Sequence, residues 1–85
     1  MPKSVFSPAY QAAIGLLIEL RKERGVSQEE LARRLGKKQP FISLVERLER
    51  RLDVVEFYVF VRAIGADPAT ALGELARRMP DEIEI

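Results

Sequence analysis

The sequence predicts an all-α domain of five short helices. Three observations carry this. Four stretches open on a side chain suited to capping a helix: Ser7, Ser27, Asp53 and Asp67. Glycines at 25, 36 and 65 fall where helical stretches should stop. Between these markers, apolar residues recur every three or four positions.

Ser7-Pro8 joins a cap to a proline in the first helical position, where a missing N–H costs nothing. Tyr10, Ile14, Leu17 and Leu20 then form an apolar face that runs toward Gly25, and Leu16 and Ile18 widen it. Ser27-Gln28-Glu29-Glu30 reads as a capping box, with Ser27 bonding the backbone three residues on and Glu30 reaching back. Leu31, Ala32 and Leu35 supply the face of this second helix, and Gly36 ends it. A third helix is expected three residues later, with Pro40 tolerated only in its first turn and Ile42 and Val45 as core contacts.

The run "DVVEFYVFVRAIG" is rich in β-branched and aromatic residues and admits a buried strand. Helix is preferred, because Asp53 and Glu56 form a cap-like pair, Gly65 closes the run, and Val54, Phe57, Tyr58, Val61 and Ile64 share one face. Val55 and Val59 fall outside that face and need another partner. Asp67-Pro68 starts the last helix, which carries Leu72 and Leu75 and closes at Pro80. Residues 1–80 read as one domain. Residues 81–85, "DEIEI", read as a frayed acidic tail, or as a short strand if a partner offers an edge.

One stretch supports two architectures. Phe41, Val45, Leu48, Leu52, Val55 and Val59 are spaced four, three, four, three, four, as in a helical seam. In the preferred reading a helix, a turn and a second helix cover this stretch. In the alternative, helices 3 and 4 fuse into one long helix in a swapped dimer, with Leu48, Leu52, Val55 and Val59 at the dimer contact.

Composition narrows the function classes. The 85 residues are 47% hydrophobic and 32% charged, ordinary for a soluble domain. No apolar run approaches the roughly 18 residues a membrane span needs, and no secretory signal is evident. A cytoplasmic protein is expected. With no Cys and no His, neither a zinc site of the usual type nor a Ser-His pair can be built. No spacing gathers the remaining carboxylates and tyrosines around a reactive centre, so an enzyme is not expected. Nothing points to a cofactor or a small-molecule ligand.

Net charge is only +1, but it is segregated. Residues 21–51 hold ten basic and five acidic groups; residues 52–85 hold three basic and seven acidic. A basic middle suggests a polyanion partner, with the acidic end facing away.

That basic middle contains "VSQEELARRLGKKQPFISLVER", two short helices joined by a Gly-containing turn. In a helix-turn-helix the first helix braces across the DNA backbone and the second enters the major groove. "SQEELARRLG", then "KKQPFIS" and "VER", resemble the Cro/C1-type (XRE-type) transcriptional regulators, as do "ERRLDVVEF" and "RAIGADP" further on. The resemblance covers roughly residues 14–70. It implies an all-α fold of five helices, double-stranded DNA as partner, and commonly a homodimer acting as a repressor or autoregulator on a palindromic operator.

By position, the resemblance makes Gln28 a phosphate contact. It puts Lys38, Gln39 and Leu44 at base edges, Phe41 and Ser43 beside them, and Arg47 on a phosphate. Arg21 and Glu46 would pair between helices 1 and 3. Independently, Gln39 has the donor and acceptor to read adenine, and Lys37 and Lys38 add charge near phosphates. Leu44 departs from a usually polar position, Val45 from an often aromatic one, and Leu48 from a very common glycine. Lys38 replaces the usual Ser or Thr cap.

Overall fold

The computed structural model describes residues 6–83, which form five helices and no strand. They are α1 (Pro8–Glu23), α2 (Gln28–Leu35), α3 (Gln39–Glu46), α4 (Val54–Ile64) and α5 (Pro68–Arg78). Of the acidic tail, residues 81–83 are exposed and irregular, and 84–85 lie outside the described residues.

Local chemistry sets most of the helix starts. Ser7 Oγ accepts from the Tyr10 N–H at 3.2 Å, and Asp67 Oδ2 accepts from the Thr70 N–H at 2.9 Å. Before α4 the box is complete: the Glu56 N–H donates to Asp53 Oδ1 at 2.7 Å, and the Asp53 N–H donates to Glu56 Oε1 at 2.9 Å. Before α2 only half of the expected box forms. Ser27 Oγ accepts from the Glu30 N–H at 3.0 Å, but the Glu30 carboxylate turns to Arg33 and Arg34. Two guanidiniums one turn along outbid a neutral backbone N–H. They also hold the Glu30 carboxyl down at about 2, Arg33 contributing most.

Four helices end on the same device. Gly25, Gly36, Leu48 and Gly65 each take positive φ, at 67°, 69°, 63° and 99°. After each, a paired set of backbone bonds closes the last turn; at Leu48 these are Leu48 N–H to Val45 O at 3.1 Å and Glu49 N–H to Leu44 O at 2.8 Å. Three of the four use glycine, which has no Cβ to clash, and the fourth uses leucine.

Leu48 therefore keeps the turn, and the fused-helix alternative is not what the chain adopts. Residues 47–53 separate α3 from α4. The Leu52 N–H donates to Tyr10 Oη at 2.8 Å, tying this connection to α1. The six-residue seam is broken up accordingly. Val45 is buried, Phe41, Leu48 and Leu52 pack half-buried against the core, and Val55 and Val59 stay exposed.

The core gathers Ile14 and Leu17 of α1, Leu31 and Ala32 of α2, Ile42 and Val45 of α3, Phe60, Val61 and Ile64 of α4, and Ala71 of α5. The buried face of α4 differs from the expected one. Phe60 is buried, whereas Val54 and Tyr58 are exposed, so the inward stripe is Phe57, Phe60, Val61 and Ile64. Apart from Glu56 and Arg62 every position of α4 is apolar, so periodicity alone does not locate the face. The packing of α1, α2 and α5 against α4 does. On α5 Ala71 turns inward and Leu72 outward.

Candidate nucleic-acid interface

α2 and α3 pack directly on each other, joined by Gly36, Lys37 and Lys38. Lys38 occupies the N-cap of α3 without a side-chain cap bond, as its chemistry dictates, because an ammonium cannot accept. Lys37 and Lys38 are both exposed at this end of the helix.

A chain of side-chain bonds runs from the core to that same end. Arg21 is nearly buried. It donates through Nε to Glu46 Oε2 at 2.6 Å and through Nη2 to Glu46 Oε1 at 2.9 Å. Its third bond, from Nη1, goes to the Val26 carbonyl at 2.8 Å. The expected Arg21–Glu46 pair is thus a two-point fork between α1 and α3, the strong geometry for a guanidinium and a carboxylate. Gln28 Nε2 donates to Glu46 Oε1 at 2.8 Å, and Gln39 Nε2 donates to Gln28 Oε1 at 2.6 Å. Gln28 lies 18 residues from Glu46 and 11 from Gln39. Nothing local in the sequence announces either contact.

Gln39, Ser43 and Arg47 follow at four-residue steps and share one side of α3, with Leu44 beside them. Ser43 and Leu44 are half-buried and Arg47 is exposed. Arg47 Nε lies 3.4 Å from the Ser43 carbonyl, and its guanidinium lies 3.6 Å from Glu49. Ile42 and Val45 occupy the opposite, buried side.

Phe41 goes elsewhere. Its ring packs against Phe60 with centroids 6.1 Å apart, and two cations cover it: Lys37 Nζ at 5.2 Å and the Arg50 guanidinium at 4.7 Å. The ring is a platform for basic groups in the first turn of α3. In the sequence Arg50 is only one of several solvated cations. Here it stacks on Phe41 and also pairs with Glu56 at 3.1 Å. That pair holds the Glu56 carboxyl below its usual range, with the Asp53 N–H second in effect. Arg51 lies 4.6 Å over the Tyr10 ring, so cations and aromatics alternate along this edge.

The structure therefore brings Gln28, Gln39, Arg21 and Glu46 into one connected group and sets Lys37 and Lys38 beside it. Ser43 and Leu44 continue along α3, and Arg47 caps its C-terminal end. Leu48 and Leu52 turn to the core.

The helix-turn-helix family profile matches residues 17–70, well over half of the chain and all of α2, α3 and α4. This protein belongs to the Cro/C1-type helix-turn-helix family. An XRE-family-like protein from Pseudomonas syringae pv. tomato shares 47% identity and the fold, with a TM-score of 0.82 over 89% of this chain and 93% of that one. An uncharacterised HTH-type transcriptional regulator, y4dJ of Sinorhizobium fredii, is 39% identical over 46 residues. That match covers 54% of this chain and spans 60% of the relative's length. Within the family frame, α2 and α3 are the helix-turn-helix proper, and Leu48 occupies the position where the family very commonly has glycine.

Proposed function

We propose that this protein is a sequence-specific, DNA-binding transcriptional regulator, a homodimeric repressor or autoregulator that inserts α3 into the major groove. The observation that carries the reading is the Gln28–Gln39 bond at the start of α3, flanked by exposed Lys37 and Lys38. One N–H of Gln39 is engaged with Gln28. Its carbonyl and second N–H remain, one acceptor and one donor side by side, which match the N6 donor and N7 acceptor of adenine. Lys37, Lys38, Arg47 and Arg50 supply the charge that phosphates require. Ser43 and Leu44 extend the reading face, Leu44 against a thymine methyl. Two copies would read half-sites about 34–36 Å apart.

Selection of binding sites from a random duplex pool, followed by titration at several salt concentrations, tests this. Binding should fall steeply with salt. Lys37→Ala with Lys38→Ala should weaken binding to all sequences, and Gln39→Ala should change which base is preferred. No binding to any duplex at low salt would overturn the proposal.

A second reading keeps the scaffold but makes it a protein-interaction or oligomerisation module with reduced DNA reading. The exposed apolar side of α4 supports it. Absence of DNA binding together with self-association would favour it.

A further inference from the structure

One side of α4 has no partner within the described chain. Val54, Val55, Tyr58 and Val59 are 79%, 65%, 48% and 42% exposed. Steps of one, four and five residues put them on a single helix face. Arg62, one turn further, extends the stripe: its guanidinium lies 5.8 Å from the Tyr58 ring and donates to Tyr58 Oη at 2.9 Å. Valine is a mediocre helix former, so three solvent-facing valines do nothing for α4 locally. The two ends of the stripe carry opposite charge, Asp53 at the start and Arg62 at the finish, and both are exposed.

We propose that a second copy of this chain covers the stripe, with the two α4 helices antiparallel across a two-fold axis near Tyr58. The stripe is self-complementary about that residue. Val54 and Arg62 lie four residues to either side of Tyr58, and Asp53 adjoins Val54. Antiparallel pairing brings Asp53 beside the partner's Arg62, and the symmetry repeats the contact. A partner carrying one sign of charge would gain at one end only. The exposed apolar area of the four side chains is on the order of 400 Å², the size of the largest patch on a typical monomer and often functional. Doubled and rimmed by the charged ends, it approaches the lower limit of about 1,200 Å² for a specific interface, so the dimer is a weak one.

The inference deepens the dimeric part of the function proposed above and rests on it. Its test contains no DNA, so loss of association would remove the dimer and leave DNA reading by α3 to be judged separately, while absence of DNA binding would leave the association unaffected. Sedimentation velocity from about 1 to about 200 μM reads the association. The wild-type mass should rise from the 9.7 kDa of one chain toward twice that value. Tyr58→Ser with Val59→Ser should stay at one chain throughout the range. Arg62→Asp, which sets acid against acid, should weaken association about tenfold or more. Circular dichroism at the lowest concentration should show each variant still helical, so that a loss of association is not a loss of fold. A wild type that stays single, or variants that associate as well as wild type, would overturn the proposal.

Discussion

Leu48 allows a sharp test of how the domain makes its most important corner. Its φ of 63° places an L-residue in the left-handed region, at a cost of about 1–2 kcal/mol. Its side chain offsets that cost by packing half-buried against the core. Full truncation of a buried leucine costs about 2–5 kcal/mol, and half-burial brings this to roughly 1–2 kcal/mol. Leu48→Ala therefore loses the packing and keeps the strain. Leu48→Gly loses the same packing and sheds the strain, so it should be more stable than the alanine variant by about 1 kcal/mol. For a domain of this size that is about 4–8 °C in Tm. Against wild type, Leu48→Gly should be close to neutral, because its two terms are similar and opposed. Thermal melts of the three proteins by circular dichroism provide the comparison. An alanine variant as stable as the glycine variant would show that the corner is not strained and that the four-fold analogy with Gly25, Gly36 and Gly65 is wrong.

Three further outcomes are expected. Stability should be flat between about pH 5 and 8, since no histidine titrates there, and should fall in acid. The Glu30 carboxyl is lowered to about 2 and those of Glu19, Glu56 and Glu74 are lowered too, so their contribution is present above the unfolded value near 4.5 and fades as pH drops toward 2; melts from pH 7 to 2 measure it. Glu46→Leu should cost about 3 kcal/mol or more by leaving Arg21 buried without its partner, and adding Arg21→Met should recover part of the loss; urea titrations of both singles and the double variant would show this coupling as non-additivity. Gln28→Ala should reduce discrimination at the base pair read by Gln39 more than it reduces overall affinity; equal loss on every sequence, measured by competition with duplexes changed at one position, would return Gln28 to a phosphate contact.

Helix starts were readable because a cap is chemistry within three residues of itself. Ser7, Asp53 and Asp67 needed nothing from the rest of the chain. At Ser27 only half of the box follows from the local sequence, because Glu30 has a choice of partners and charge decides it. The inward face of α4 is hidden for a different reason. In a helix with apolar residues on every side, only the neighbours determine which side is inward, and Val54 and Tyr58 lost that place to Phe60. The Arg21–Glu46 pair was legible through family resemblance. The contacts of Gln28 and Phe41 are not legible there, because each reaches across the fold: Gln28 to Glu46 and Gln39, and Phe41 to Phe60 and Arg50. The four-three spacing from Phe41 to Val59 looked continuous, but periodicity presumes an unbroken helix and Leu48 breaks it.

The bonded chain from Arg21 to Gln39 has a direction. A carboxylate only accepts, so Glu46 obliges Gln28 to turn its amino group inward and its carbonyl outward. That carbonyl in turn obliges Gln39 to give it an N–H. The orientation of the outermost amide, which end donates and which receives, is therefore inherited from a nearly buried negative charge two side chains away. An amide in place of Glu46 would allow the sequence of donors and acceptors to run either way, and the tip would present two mirror-image edges in place of one.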